Sequence, residues 1–297
     1  MNFIVTTTIN PPTKALIKFS KMENWKLIVV GDITTPKNLY QDLDCIYLDI
    51  EEQEVLNKEL SDLIGFKSLE RRNFGYIYAV KNGAKIIASI DDDNIPLSNW
   101  GNNVLIGQEV SVDHYLTDSI AFDPLSVTNI NTLWHRGFPI ELIKDKNSNL
   151  IKTKKILVPK VQADLWNGDP DIDAICRIAY QPEVEIKPLN PYNSNKLSPF
   201  NTQNTFFDSE IMKYFMQLPF VGRMSDIWGS YLLQKELPEA DIIYSEPTVY
   251  QDRNIHNLVE DLEKELIGYH HTYNFLEDKY TLPKKVLHAY NLYKNSF

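Results

Sequence analysis

Residues 84–96 read AKIIASIDDDNIP, a short apolar run that ends in three consecutive aspartates and an asparagine. The run is short and isoleucine-rich and fits a buried strand. Three neighbouring carboxylates repel one another, so a compensating charge is expected. On an extended chain, residues two apart face the same way. Asp91 and Asp93 therefore address one cation, while Asp92 points elsewhere or reaches a ligand if the chain bends. Hard cations such as Mg²⁺ and Mn²⁺ take oxygen ligands. Mg²⁺ accepts one or two carboxylates and fills its shell with water and phosphate oxygens, which a nucleoside diphosphate supplies. The alternative is a polar turn after a strand. An EF-hand is excluded because Pro96, not glycine, stands at loop position six.

Outward from the acids, strand and helix signals alternate. NFIVTTT (2–8), KLIVVGDI (26–33) and CIYLDI (45–50) read as strands, and EEQEVLNKELSDLI (51–64) and SLERRNFGYIYAVKN (68–82) as helices, the latter closed by Gly83. This predicts an α/β, Rossmann-type, mostly parallel sheet flanked by helices. Ligands of such sheets sit beyond the carboxyl ends of the strands. Thr7, Asp32 and Asp91–Asp93 all fall there, so one crevice can collect them. Thr7 and Asp32 are placed beside the nucleoside, with turn or capping roles as the alternative. Residues 189–205, LNPYNSNKLSPFNTQNT, read as a functional or mobile loop. Helical signals return at 208–218 and 225–236. The expected division is a catalytic domain over 1–255 and a helical C-terminal extension over 256–297 packed on it. The tail aromatics, among them Tyr269, Phe275, Tyr290 and Tyr293, predict burial against the core or a homo-oligomer interface.

Composition narrows the function classes. A net charge of −10 without a basic stripe argues against nucleic acid as a partner. No apolar run approaches the length of a membrane span, and the N-terminus lacks a signal-peptide pattern, so a cytoplasmic place is expected, with peripheral membrane attachment open. Cys45 and Cys176 lie far apart in apolar surroundings and read as free thiols. GxGxxG, P-loop and zinc-type spacings are absent.

RRNFGYIYAVKNGAKIIASIDDDN (71–94) resembles two related groups of GT-A glycosyltransferase-like proteins: the STELLO-type proteins and the reversibly glycosylated polypeptides, which include UDP-arabinopyranose mutases. Further matches follow in order: WHRGFP (134–139), GDPDIDAICR (168–177), TQNT (202–205) and GRMSDIWGSY (222–231). The resemblance implies a GT-A-like fold, a nucleotide-sugar donor (a UDP-sugar first) and a divalent metal, Mn²⁺ or Mg²⁺. It implies a glycan or carbohydrate acceptor, a nucleotide-sugar mutase or self-glycosylating protein, or a non-catalytic scaffold. Asp91 and Asp93 would hold the metal, with His256 as a returning third ligand. Arg71 or Arg72 would pair with the diphosphate beside Asp92. Asp226 is the candidate base, or a cap of the helix that follows. Asp171 and Asp173 would lie near sugar or acceptor, or cap a helix, and Trp166 would stack on a sugar face or fill the core. Arg136 matches the arginine that carries reversible glycosylation in the mutase group, which implies a place close to the sugar.

Overall fold

The computed structural model describes residues 1–252 and 257–297. Its strands are β1 (Asn2–Thr7), β2 (Trp25–Val30), β3 (Cys45–Leu48), β4 (Ile86–Ile90), β5 (Asn94–Pro96), β6 (Val110–Leu116), β7 (Ile151–Leu157), β8 (Val161–Gly168), β9 (Tyr192–Ser194), β10 (Asn204–Asp208) and β11 (Ile242–Gln251). The helices are α1 (Lys14–Phe19), α2 (Ile50–Ile64), α3 (Arg72–Lys81), α4 (Ala174–Tyr180), α5 (Ser225–Glu236), α6 (Leu258–Leu276) and α7 (Lys284–Lys294).

One sheet joins the strands in the order β3-β2-β1-β4-β10-β8-β11-β9-β6-β7, with β5 beside β11. β1 pairs in parallel with β2 and β4, and β2 with β3, as the alternation of the first half predicts. β10 then enters between β4 and β8, antiparallel to both. An antiparallel neighbour needs no crossover helix, so the second half gives no alternating signal to read. β11 returns parallel to β8, and its far end pairs with β5, next to the acids.

Local chemistry sets the helices. Asp49 and Glu52 form a reciprocal capping box that starts α2 one residue before the expected position. The helix expected over 68–82 opens as a 3₁₀ turn, Leu69–Arg71, and becomes regular at Arg72. Gly83 follows its C-cap at φ +74°, a conformation glycine adopts without a Cβ clash. Helix α5 spans Ser225–Glu236, as read from the sequence.

The segment 189–205 corrects an expectation. It contains β9 and the start of β10, and Ser198 to Thr205 are buried. Its polar residues suggested a loop, but they satisfy one another and the strand ends inside the protein. The tail packs inward: Phe275, Tyr290 and Tyr293 are buried in the same apolar core that begins at Phe3. Tyr290 and Tyr293 donate to the carbonyls of Tyr214 and Met212, and Asn57 donates to Leu292 O and Ser296 Oγ. Cys45 and Cys176 are free thiols. Among the described residues, no helix is long and apolar enough to cross a membrane.

A buried acid on β8 makes stability pH-dependent. Asp164 accepts from Gln162 Nε2 at 2.8 Å and Thr248 Oγ1 at 2.9 Å, yet burial pushes its carboxyl up to about 7. An unfolded aspartate ionises near 3.9. Between those values the fold keeps a proton that the unfolded chain has lost. Stability therefore falls as pH rises through this window and levels off above it. The expected result is a lower melting temperature at about pH 8 than at about pH 5.5, with part of the difference gone in Asp164→Asn. Asn at 164 keeps both contacts, because Thr248 Oγ1 can accept from its amide. An unchanged pH profile in that variant would show that Asp164 does not titrate there.

Candidate functional site

The carboxyl ends of β1 and β4 open onto a cavity of about 570 Å³. Thr7, Arg72, Asp91, Asp92, Asp93, Arg136, Asp171 and Asp226 all line it. Residues named from separate motifs therefore share one wall.

The acids divide their work. Asp91 caps the end of β4 and its Oδ1 accepts from Arg72 Nη2 at 2.6 Å; its side chain is 31% exposed. Asp92 Oδ2 accepts from Thr8 Oγ1 and from Asn10 Nδ2 at 2.9 Å, so it ties the loop after β1 to the loop after β4. Asp93 also faces the cavity, and its carbonyl accepts from Asp252 N at 3.2 Å. Asp91, Asp92 and Asp93 thus all line the cavity, Asp91 paired with Arg72 and Asp92 with Thr8 and Asn10. Among the described residues, no group of three or more His, Cys, Asp or Glu is arranged to hold a metal. His256 lies outside the described residues.

Arg72 is the cation paired with the acids at this wall. It is buried, and it donates to Asp91, to Thr202 O at 3.0 Å and to Ser89 Oγ at 3.3 Å. Burial works against its charge, but Asp91, with Tyr76 and Asp226, more than offsets that and raises its pKa. Arg72 Nε finds no partner among the described residues. Arg71 turns the other way: it donates to Gln53 Oε1 at 2.7 Å, Gly65 O at 2.6 Å and Ser61 Oγ at 2.9 Å, with its guanidinium between Phe66 and Phe74. Arg71 anchors α2 to α3 and does not line the cavity, which corrects its expected donor role. Neighbours on a helix point in different directions, and here the core claims the first arginine.

Arg136 sits between two carboxylates. Nε and Nη2 donate to Asp171 at 2.8 and 2.9 Å, and Nη1 and Nη2 donate to Asp226 at 2.9 and 3.0 Å. The remaining Nη1 hydrogen goes to Arg223 O. All five N–H groups of the guanidinium are thus in use. Burial alone would lower the Arg136 pKa, but Asp171 and Asp226 hold it well above the ordinary range. A nitrogen so engaged is a poor sugar acceptor, so the geometry disfavours glycosylation at Arg136. Gly137, at φ +77°, lets this loop lie on α5; a Cβ there would stand 2.1 Å from Ile227 Cγ2.

Asp226 is a wall residue with its lone pairs committed. Besides Arg136 it accepts from Thr202 N at 3.2 Å, Thr202 Oγ1 at 3.4 Å and Ile227 N at 3.0 Å. A carboxylate enclosed by donors is poorly placed to take a proton, which argues against the expected base role. Asp171 also accepts from Asn201 Nδ2 at 2.8 Å.

Three other expected residues lie elsewhere. Trp166 is buried in β8 against His135, with ring centroids 6.3 Å apart, and has no face to offer a sugar. Asp173 caps α4 through Cys176 N at 2.8 Å and accepts from Trp134 Nε1 at 2.5 Å. Burial pushes its carboxyl up to about 7. Asp32 accepts from Ser68 N at 3.1 Å and Ile33 N at 2.6 Å, tying β2 to the turn before α3. Thr7 lines the cavity while its hydroxyl donates to Val30 O at 2.9 Å.

Sequence reasoning missed several wall residues. Lys264 comes from α6, and Gln217 and Gln251 come from segments without a motif. Arg223 lay within a quoted motif, yet its role was not legible: it pairs with Glu265 at 2.8 Å and Asp261 at 3.2 Å and so fixes α6 beside the site.

Known proteins place this geometry in context. The chain is 25% identical over 273 residues to "Probable glycosyltransferase STELLO2" of Arabidopsis thaliana, covering 84% of this chain and 35% of that protein. It is 24% identical over 255 residues to "Probable glycosyltransferase STELLO1" of the same plant, covering 78% and 33%. The chain thus spans about a third of the length of the curated relatives it matches. No family model matches it. A crystal structure of a mycobacterial protein superposes with a TM-score of 0.50 at 10% identity, over 95% of this chain and 76% of that one. Glucosyl-3-phosphoglycerate synthase of Mycobacterium tuberculosis, crystallised with Mn²⁺, UDP-glucose and glycerol 3-phosphate, gives 0.48 at 11% identity, over 95% and 82%. The expected similarity to STELLO-type proteins holds, and the expected α/β class with it.

Proposed function

We propose that the chain carries a metal-dependent glycosyl-transfer site that takes a nucleoside-diphosphate sugar, a UDP-sugar as donor, and delivers the sugar to a carbohydrate acceptor. The observation that carries this reading is the meeting of Asp91 and Asp93 with the buried cation Arg72 in one cavity at the carboxyl ends of β1 and β4. The oxygen ligands of Asp91 and Asp93 fit Mn²⁺ or Mg²⁺ with diphosphate and water completing the shell. When bound, such an ion stabilises the charge that develops on the leaving diphosphate. Arg72 supplies a second positive group for that diphosphate, and its unpartnered Nε is a donor in search of an acceptor. Asp92 holds the loops after β1 and β4 together, so the mouth of the site keeps its shape. The pairing of Arg136 with Asp171 and Asp226 fixes the adjoining stretch of wall, which Thr202 links to Arg72. Similarity to two proteins named as glycosyltransferases supports the same reaction class.

The test is thermal denaturation with UDP, GDP, CMP or dTDP, each with and without Mn²⁺. A ligand that binds only the folded state at a hundredfold excess over its Kd adds about 2.7 kcal/mol of stability. At about 2–4 °C per kcal/mol for a chain of this size, a rise of several degrees is expected for one diphosphate and only with Mn²⁺. No shift with any nucleotide would overturn the reading. Incubation with donor alone then separates transfer from ring isomerisation by the product formed.

A further inference from the structure

Besides Arg72 Nε, three buried polar atoms of cavity-lining residues have no hydrogen-bond partner among the described residues: Gln217 Oε1, Ser225 Oγ and Gln251 Oε1. Their residues are 4%, 8% and 3% exposed. Buried polar atoms are nearly always paired, so three orphans around one cavity mark a missing ligand or water. Each sits on a fixed element. Asn73 holds the Gln217 backbone through both N–H and C=O, at 3.0 and 2.8 Å. The Ser225 carbonyl, at the start of α5, accepts from Leu218 N at 2.9 Å. Gln251 ends β11 and stands opposite Asn94, next to the acids.

The orientation of the Gln217 amide follows from its neighbour. Nε2 donates to Thr202 Oγ1 at 2.8 Å, and that hydroxyl directs its own proton to Asp226 Oδ2 at 3.4 Å. A flipped amide would draw the Thr202 hydroxyl proton to Oε1 and away from the Asp226 carboxylate. Oε1 is therefore the atom left over.

An amide oxygen only accepts. A phosphate at neutral pH has no proton to offer it, whereas a hydroxyl has. Ser225 Oγ can donate or accept. From this chemistry we infer that Gln217, Ser225 and Gln251 form a hydroxyl-reading wall that orients the neutral, polyhydroxylated ring of the donor sugar, while the phosphates lie toward Arg72, Asp91 and Asp93. This rests on the donor reading proposed above and adds the residues that tell one sugar from another.

The test measures binding by calorimetry, in Mn²⁺, of UDP, GDP, UDP-glucose, UDP-galactose, UDP-xylose and GDP-mannose. The wild-type chain binds one sugar conjugate about tenfold or more tighter than its parent diphosphate, since a site built for hydroxyls penalises a ligand that lacks them. In Gln217→Met and Gln251→Met that increment falls to about twofold or less, while affinity for the parent diphosphate stays within about twofold. Ser225→Ala, the smallest change, serves if either methionine variant fails to fold. A merely structural role would lower both affinities together. If a diphosphate binds and the sugar increment is absent in the wild type, or survives in all folded variants, the wall is overturned and the donor reading stands. If no diphosphate binds, the donor reading falls and takes this inference with it.

Discussion

Replacing Arg136 with methionine is expected to lower the melting temperature by about 6–20 °C. Breaking a buried ion pair from one side costs about 3–5 kcal/mol, and a chain of this size shifts by about 2–4 °C per kcal/mol. Asp171 and Asp226 both lean on this one guanidinium through paired hydrogen bonds. Without it, two nearly buried carboxylates face each other uncompensated. The fifth N–H, on Arg223 O, links the group to the turn that α6 holds through Glu265. The damage therefore reaches both the start of α5 and the C-terminal helices. Arg136→Lys keeps the charge but not the planar fork, so it falls between wild type and Arg136→Met. Adding Asp171→Asn and Asp226→Asn to Arg136→Met restores part of the loss, because no buried charge then lacks a partner. The check is thermal and chemical denaturation of the four proteins. A shift under about 2 °C in Arg136→Met would mean that the three groups are hydrated and weakly coupled.

What the sequence made legible follows from what is local. The strand ending in Asp91, the helix beginning at Ser225 and the capped start of α2 each rest on period, composition and end chemistry within a few residues. The parallel first half followed from alternation. The grouping of Arg136 with Asp171 and Asp226 did not, because the partners lie 35 and 90 residues away in the chain. Each was visible alone, as a residue near the sugar, a cap or a base, but their mutual neutralisation appears only once the chain has folded. The choice between Arg71 and Arg72 was hidden for a different reason. Both start the same helix, and only the positions of Gln53, Phe66 and Phe74 show which one the core takes. Of the two roles open to Trp166 the core one holds, because what packs on the two faces of β8 buries Val161 to Trp166 without a break, and a single strand's sequence does not show what covers it. The polar run 198–205 was misread because composition counts polar groups and ignores whether partners await them. Thr202 illustrates this: its carbonyl takes Arg72 while its N–H and hydroxyl reach Asp226.

Asp91→Asn combined with Asp93→Asn is expected to cut metal-dependent donor turnover by about 100- to 1000-fold or more, the scale at which loss of a charge-stabilising element acts on a transition state. The amide of asparagine keeps the size of the carboxylate and loses the charge that a hard cation requires. The same variant is expected to lose the Mn²⁺-dependent rise in melting temperature with its diphosphate. The two positions differ in one respect. Asp91 is the charge partner of buried Arg72, so Asp91→Asn also leaves an arginine with a weaker acceptor and lowers stability without any ligand. The informative quantity is therefore the metal-dependent increment in each protein, not the absolute melting temperature. Three neighbouring acids would then be explained by the ion and Arg72, which together offset the repulsion that opens the question at residues 91–93. Full turnover, or an undiminished Mn²⁺ increment, in a folded double variant would reduce Asp91–Asp93 to a polar turn after β4, with Arg72 serving only to hold that turn in place.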